Sequence, residues 1–87
     1  MEREKLVDEI VDFCFAYGLC KDVKKKDELR KNIAYNLNDP AFVENLINTV
    51  IVKSKKYNTM EKENIVDLII ELEKIRLNLE FYAQNAK

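Results

Sequence analysis

Eighty-seven residues, 47% apolar and 36% charged, predict a single domain (1–87) with a radius of gyration of about 12 Å. Fifteen basic residues against sixteen acidic leave a formal net charge of −1, which gives no global attraction to nucleic acid or to an anionic membrane. One Gly and one Pro supply too few turns for a β-sandwich or barrel, and the absence of His removes the commonest acid/base and metal-binding group.

The first predicted element is a helix over about Glu2 to Tyr17. Leu6, Ile10, Phe13 and Tyr17 are spaced 4, 3 and 4 and form one stripe, which Val7, Val11 and Cys14 widen to a core-facing width. Gly18 supplies the left-handed position that ends a helix, with Leu19 as the expected hydrophobic contact. The longest apolar stretch lies within Asp12 to Cys20, well short of the roughly 20 residues that span a bilayer. The opening Met1-Glu2-Arg3-Glu4-Lys5 alternates charge and does not read as a secretory signal.

A linker from Cys20 to about Lys24 leads to a second helix, roughly Lys25 to Leu37, with Leu29, Ile33 and Leu37 apolar and Ala34 and Tyr35 beside them. Three lysines near its start oppose the helix dipole. Asn38-Asp39-Pro40 is the clearest local signal. Asp39 is a natural N-cap and Pro40 a natural first helical residue.

The third helix is expected from Pro40 to about Lys56. Val43, Leu46, Ile47, Val50, Ser54 and Tyr57 share one side. Thr49-Val50-Ile51-Val52 alone suggests a strand, but helix-patterned residues flank it with no turn between. Asn58 or Thr59 then caps a fourth helix, about Met60 to Ala83, and Asn58 with Glu61 resembles a capping box. Its residues Ile65, Leu68, Leu72, Ile75, Leu79 and Tyr82 form an uninterrupted bundle-type seam. The expected architecture is all-α, a small antiparallel four-helix bundle with a long C-terminal helix.

Two features go further. Val66, Ile70, Leu77 and Phe81 form a second apolar stripe, within about 60° of one another at 100° per residue. Asp67, Lys74 and Asn78 flank it on one edge, and Glu73 and Glu80 on the other. About 24 residues make a rod of ~36 Å, against ~24 Å for the first helix. Either the other three helices wrap both stripes, or a second molecule covers one.

The second feature is charge placement. Residues 2–12 and 61–82 each carry a net of −3, while residues 21–31 carry +3 and Lys53, Lys55 and Lys56 add +3. Antiparallel neighbours would bring Lys21, Lys24, Lys25 and Lys26 to the same pole as Lys53, Lys55 and Lys56. Such a pole can dock an acidic protein face or phosphates. Lysines outnumber arginines there, acids are interleaved, and no aromatic sits in the run to stack on bases.

Catalytic chemistry is not expected. Asp67 and Glu71 at i, i+4 read as a solvated stripe. Cys14 reads as a small core hydrophobe, and Cys20 near Lys21 has no His as partner base. The two cysteines have neither metal nor CxxC spacing and read as reduced thiols of a cytoplasmic protein. No loop carries the alternating oxygen ligands of a calcium site. The tyrosines, Tyr17, Tyr35, Tyr57 and Tyr82, are expected at the core edge with hydroxyls in water. The short turn before Pro40 permits a helix–turn–helix, but Pro40-Ala41-Phe42-Val43-Glu44-Asn45 is apolar and acidic where base edges would be read.

The expected function is therefore that of a non-enzymatic protein-binding module without a cofactor, metal or small-molecule substrate. It would be a small regulator or inhibitor that occupies a protein partner or a second copy through Val66, Ile70, Leu77 and Phe81. A nucleic-acid-associated regulator using the lysine pole stands second. The Lys/Asn/Ile-rich, Gly/Ala-poor composition suits an AT-rich bacterial or phage genome.

Overall fold

The computed structural model describes residues 2–56 and 62–85, with side chains through Phe81. Four α-helices follow in order: α1 (Arg3–Ala16), α2 (Lys26–Asn36), α3 (Pro40–Lys56) and α4 (Lys62–Asn85). A short 3-10 turn, Val23–Lys25, precedes α2, and no strand occurs among the described residues. The radius of gyration is 13.2 Å and the principal extents are 41 × 27 × 20 Å. The 41 Å long axis slightly exceeds the ~36 Å expected of a 24-residue helix such as α4.

The local signals act where the sequence places them. Gly18 ends α1 with φ +73°. The Leu19 N–H donates to the Cys14 carbonyl at 2.8 Å, and the Gly18 N–H to the Phe15 carbonyl at 3.3 Å. This Schellman pair satisfies carbonyls that the helix end would leave open. Leu19 itself stays exposed, so the expected hydrophobic contact is not a buried one.

Asp39 caps α3: its Oδ1 accepts the Ala41 N–H at 3.0 Å, and Pro40 takes the first helical position. The β-branched run at 49–52 is helical. Thr49 Oγ1 donates to the Asn45 carbonyl at 2.9 Å, and Val50 is buried, so tertiary packing outweighs the strand preference. The lysines before α2 are handled by the 3-10 turn. Asp22 Oδ1 accepts the Lys24 N–H at 3.0 Å, and Asp27 and Glu28 then place acids in the first turn of α2. The expected caps Asn58 and Thr59, together with Tyr57 and Glu61, lie outside the described residues.

One hydrophobic core unites the helices. α1 contributes Leu6, Val7, Ile10, Val11, Phe13 and Cys14, with Tyr17 just after its end. α2 gives Ile33 with Leu37 at its end, α3 gives Val43, Ile47 and Val50, and α4 gives Ile65, Leu68 and Leu72. The α4 helix packs chiefly on α3 and also on α1, which in turn packs on α2. Arg30 Nε lies 2.9 Å from Asp8 Oδ1, and Arg3 Nη2 donates to Asn38 Oδ1 at 3.0 Å; both contacts tie α1 to α2 and its following turn. Tyr17 is buried against Phe13, with ring centroids 4.4 Å apart, whereas Tyr35 is almost fully exposed. Neither sits at the core edge, because Tyr17 extends the inward stripe of α1 and Tyr35 falls outside the Leu29, Ile33 and Leu37 stripe of α2 that faces the core.

Candidate functional site

Along α4 the inward seam is covered unevenly. Ile65, Leu68 and Leu72 are buried, but Ile75 and Leu79 are only partly so. Cover thins after Leu72, and α4 is the longest helix, with 24 residues against 14 in α1.

The opposing stripe faces solvent. Val66 is 52% exposed, Ile70 46%, Leu77 56% and Phe81 63%. The three preceding helices therefore do not wrap both apolar faces of α4. Intrahelical ion pairs border the stripe on both sides. Arg76 Nη2 lies 2.6 Å from Glu73 Oε2, and Arg76 Nη1 lies 2.9 Å from Glu80 Oε1. The hydrogen bonds and charge of Glu73, with Glu80 adding to them, hold the Arg76 pKa above its ordinary value against a smaller loss from desolvation. On the other border, Lys74 Nζ lies 3.3 Å from Glu71 Oε1. The pair Asp67 and Glu71 is thus divided, with Glu71 half-buried and held to Lys74 while Asp67 is exposed.

The lysines fall in two groups. Lys21, Lys24 and Lys25 are exposed around the 3-10 turn, while Lys26 is half-buried with Nζ 6.0 Å from the Phe15 ring centroid. Lys53 is half-buried and Lys55 and Lys56 are exposed in the last turn of α3, where cations suit the helix dipole.

Cys14 lies in the core, and burial, followed by the neighbouring Cys20, pushes its pKa up. A thiol held protonated is a poor nucleophile. Cys20 is partly exposed, and both thiols are free. Among the described residues, no three of His, Cys, Asp and Glu gather where they could hold a metal ion, and no helix is long and apolar enough to cross a membrane.

Sequence reasoning missed one feature, an open groove of about 690 Å³ between α1 and α2. Arg3, Glu4, Val7, Asp8, Arg30 and Ala34 line it together with Lys31. The charged residues were visible, but the groove arises where α1 and α2 pack side by side, with Arg30 reaching Asp8 across it.

No protein-family model, no curated protein and no solved structure matches this chain.

Proposed function

We propose that this chain is a non-enzymatic helical protein-binding module, a small regulator or inhibitor that acts by occupying a protein partner through the outward stripe of α4. The observation that carries this reading is the exposure of Val66, Ile70, Leu77 and Phe81 along one line of a helix whose other face is already in the core. An apolar line rimmed by charged side chains is the form taken by helix-in-groove surfaces. Removing the four side chains from water at about 25 cal/mol per Å² contributes several kcal/mol before association costs are met.

The reading includes an antiparallel four-helix bundle in the cytoplasm. Two contacts support opposite directions for α1 and α2: the early residue Arg3 meets Asn38 after α2, while the later residue Asp8 meets Arg30 within it. Continued through the fold, that alternation brings both lysine groups to one pole, which orients an acidic partner.

The test replaces Leu77 with Lys. Association, measured as native mass and as capture of host protein, is expected to disappear while far-UV circular dichroism stays helical. Unchanged association in both measurements removes the stripe from the mechanism.

The exposed Lys21, Lys24 and Lys25 favour a second reading, a nucleic-acid-associated regulator that contacts phosphates. Binding to DNA or RNA would then weaken steeply with salt, and replacing Lys25 and Lys55 would flatten the slope. No retardation at low salt eliminates it.

A further inference from the structure

Which partner fits the α4 stripe is written in the signs of its two borders, an inference that rests on the binding role proposed above. We infer that the stripe is covered by a second copy of this chain, with the two α4 helices side by side, parallel and in register.

Midway along the stripe, between Ile70 and Leu77, stand Glu73 and Lys74. They are adjacent in sequence, about 1.5 Å apart along the axis, and on opposite borders. A two-fold axis along α4 turns the Glu73 border of each copy toward the Lys74 border of the other. Glu73 then faces Lys74 of the partner subunit, and the symmetry makes the contact twice. Val66, Ile70, Leu77 and Phe81 each meet their own counterparts across the axis.

A two-fold axis perpendicular to α4 also aligns the stripes, with Val66 across from Phe81 and Ile70 across from Leu77. That arrangement turns each border against itself. Glu73 would approach Glu73 of the partner subunit, and Lys74 would approach the partner's Lys74. Like charges directly opposed are destabilising, and their intrahelical partners Arg76 and Glu71 lie about 60° further round α4, behind the opposed charges and not between them, so the parallel pairing is selected.

The start of the stripe repeats the code. Lys62 lies on the Glu73 border and Glu63 on the Lys74 border, so parallel copies again oppose unlike charges. The remaining border acids, Asp67 and Glu80, come opposite the uncharged positions Ile69 and Asn78.

The intrahelical pairs extend this arrangement. Glu73 is held by Arg76 and Lys74 by Glu71. Adding the cross-copy contact makes a row of alternating sign that runs from Arg76 through Glu73 to the partner's Lys74 and the partner's Glu71. A charged row of this kind fixes direction and register more than it adds affinity, and the apolar stripe supplies the burial.

The test measures mass in solution against concentration for the wild-type chain, Glu73→Lys, Lys74→Glu and the double exchange. Wild type is expected to reach twice the single-chain mass. Each single exchange, which sets like charges together, raises the dissociation constant about tenfold at low salt. The double exchange restores opposite signs across the axis and recovers most of the lost affinity, though not all of it, because each exchanged side chain then stands beside a like charge in its own helix, Arg76 or Glu71.

Direction is read separately in a Cys14→Ala, Cys20→Ser background. Ile70→Cys is expected to cross-link to itself under mild oxidation, faster than a mixture of Ile70→Cys and Leu77→Cys cross-links between the two chains. Faster mixed cross-linking, or single exchanges that leave the constant unchanged, overturns the parallel pairing. A wild-type chain that keeps the single-chain mass at every concentration overturns self-association altogether. In that last case, host-protein capture that is lost with Leu77→Lys leaves the binding role standing, whereas capture indifferent to Leu77 ends both.

Discussion

The backbone N–H of Cys20 donates to the carbonyl of Cys14 at 3.2 Å, so the chain folds back over the end of α1 and brings its two cysteines together. Their environments differ: Cys14 is buried and Cys20 partly exposed. At pH 8 a small thiol reagent is expected to modify Cys20 at least about tenfold faster than Cys14, with denaturant abolishing the difference. Mass mapping of the labelled peptides checks this.

The raised Cys14 pKa also fixes the sign of a pH effect. The folded thiol holds its proton to higher pH than the unfolded one. As pH climbs past 9.0, the ordinary value for a thiol, the unfolded state loses its proton first, and stability falls until the folded thiol also ionises. Below that pH the contribution is fully present. Urea midpoints measured from pH 7 to 10.5 are expected to fall less in Cys14→Val than in the wild type.

Gly18→Ala isolates backbone strain. A Cβ at Gly18 would meet nothing nearer than Lys21 Cε at 3.8 Å, so there is no clash to relieve. The cost comes from φ +73° alone, about 1–2 kcal/mol, read as a lower urea midpoint at constant slope.

Asp39→Ala removes the acceptor for the Ala41 N–H and is expected to cost about 1 kcal/mol, whereas Asp39→Asn keeps an acceptor and stays close to wild type. Thermal unfolding of the three proteins distinguishes loss of the cap from loss of the charge.

Leu72 and Leu77 put one residue type on opposite faces of α4. Leu72 is fully buried, and Leu72→Ala is expected to cost about 2–5 kcal/mol. Leu77→Ala, measured at a dilution where copies are apart, is expected to shift unfolding by less than about 0.5 kcal/mol. Equal effects would mean that both faces are interior.

The inward stripes of all four helices were legible because periodicity alone places Ile10, Ile33, Val50 and Leu68 on core faces. The start of α3 was legible for a different reason, since Asp39 and Pro40 act within their own turn. The fate of the two α4 stripes was not legible. Whether Ile75 is sealed, or Val66 left in water, depends on how far three other helices reach, and that is a long-range quantity. The pairing of Arg30 with Asp8 is likewise set by packing, as is the depth of Tyr17. For the stripe, the sequence supplied the residues and the borders, while the coordinates supplied their exposure.

The pairs Glu71–Lys74, Glu73–Arg76 and Arg76–Glu80 each close within about one turn of α4. They support the outer turns where core cover thins, and they need no neighbouring helix to do so. The outward face is therefore already in shape before anything touches it. A partner docking there as proposed would meet a helix face already formed, and would give up little chain entropy to folding on contact.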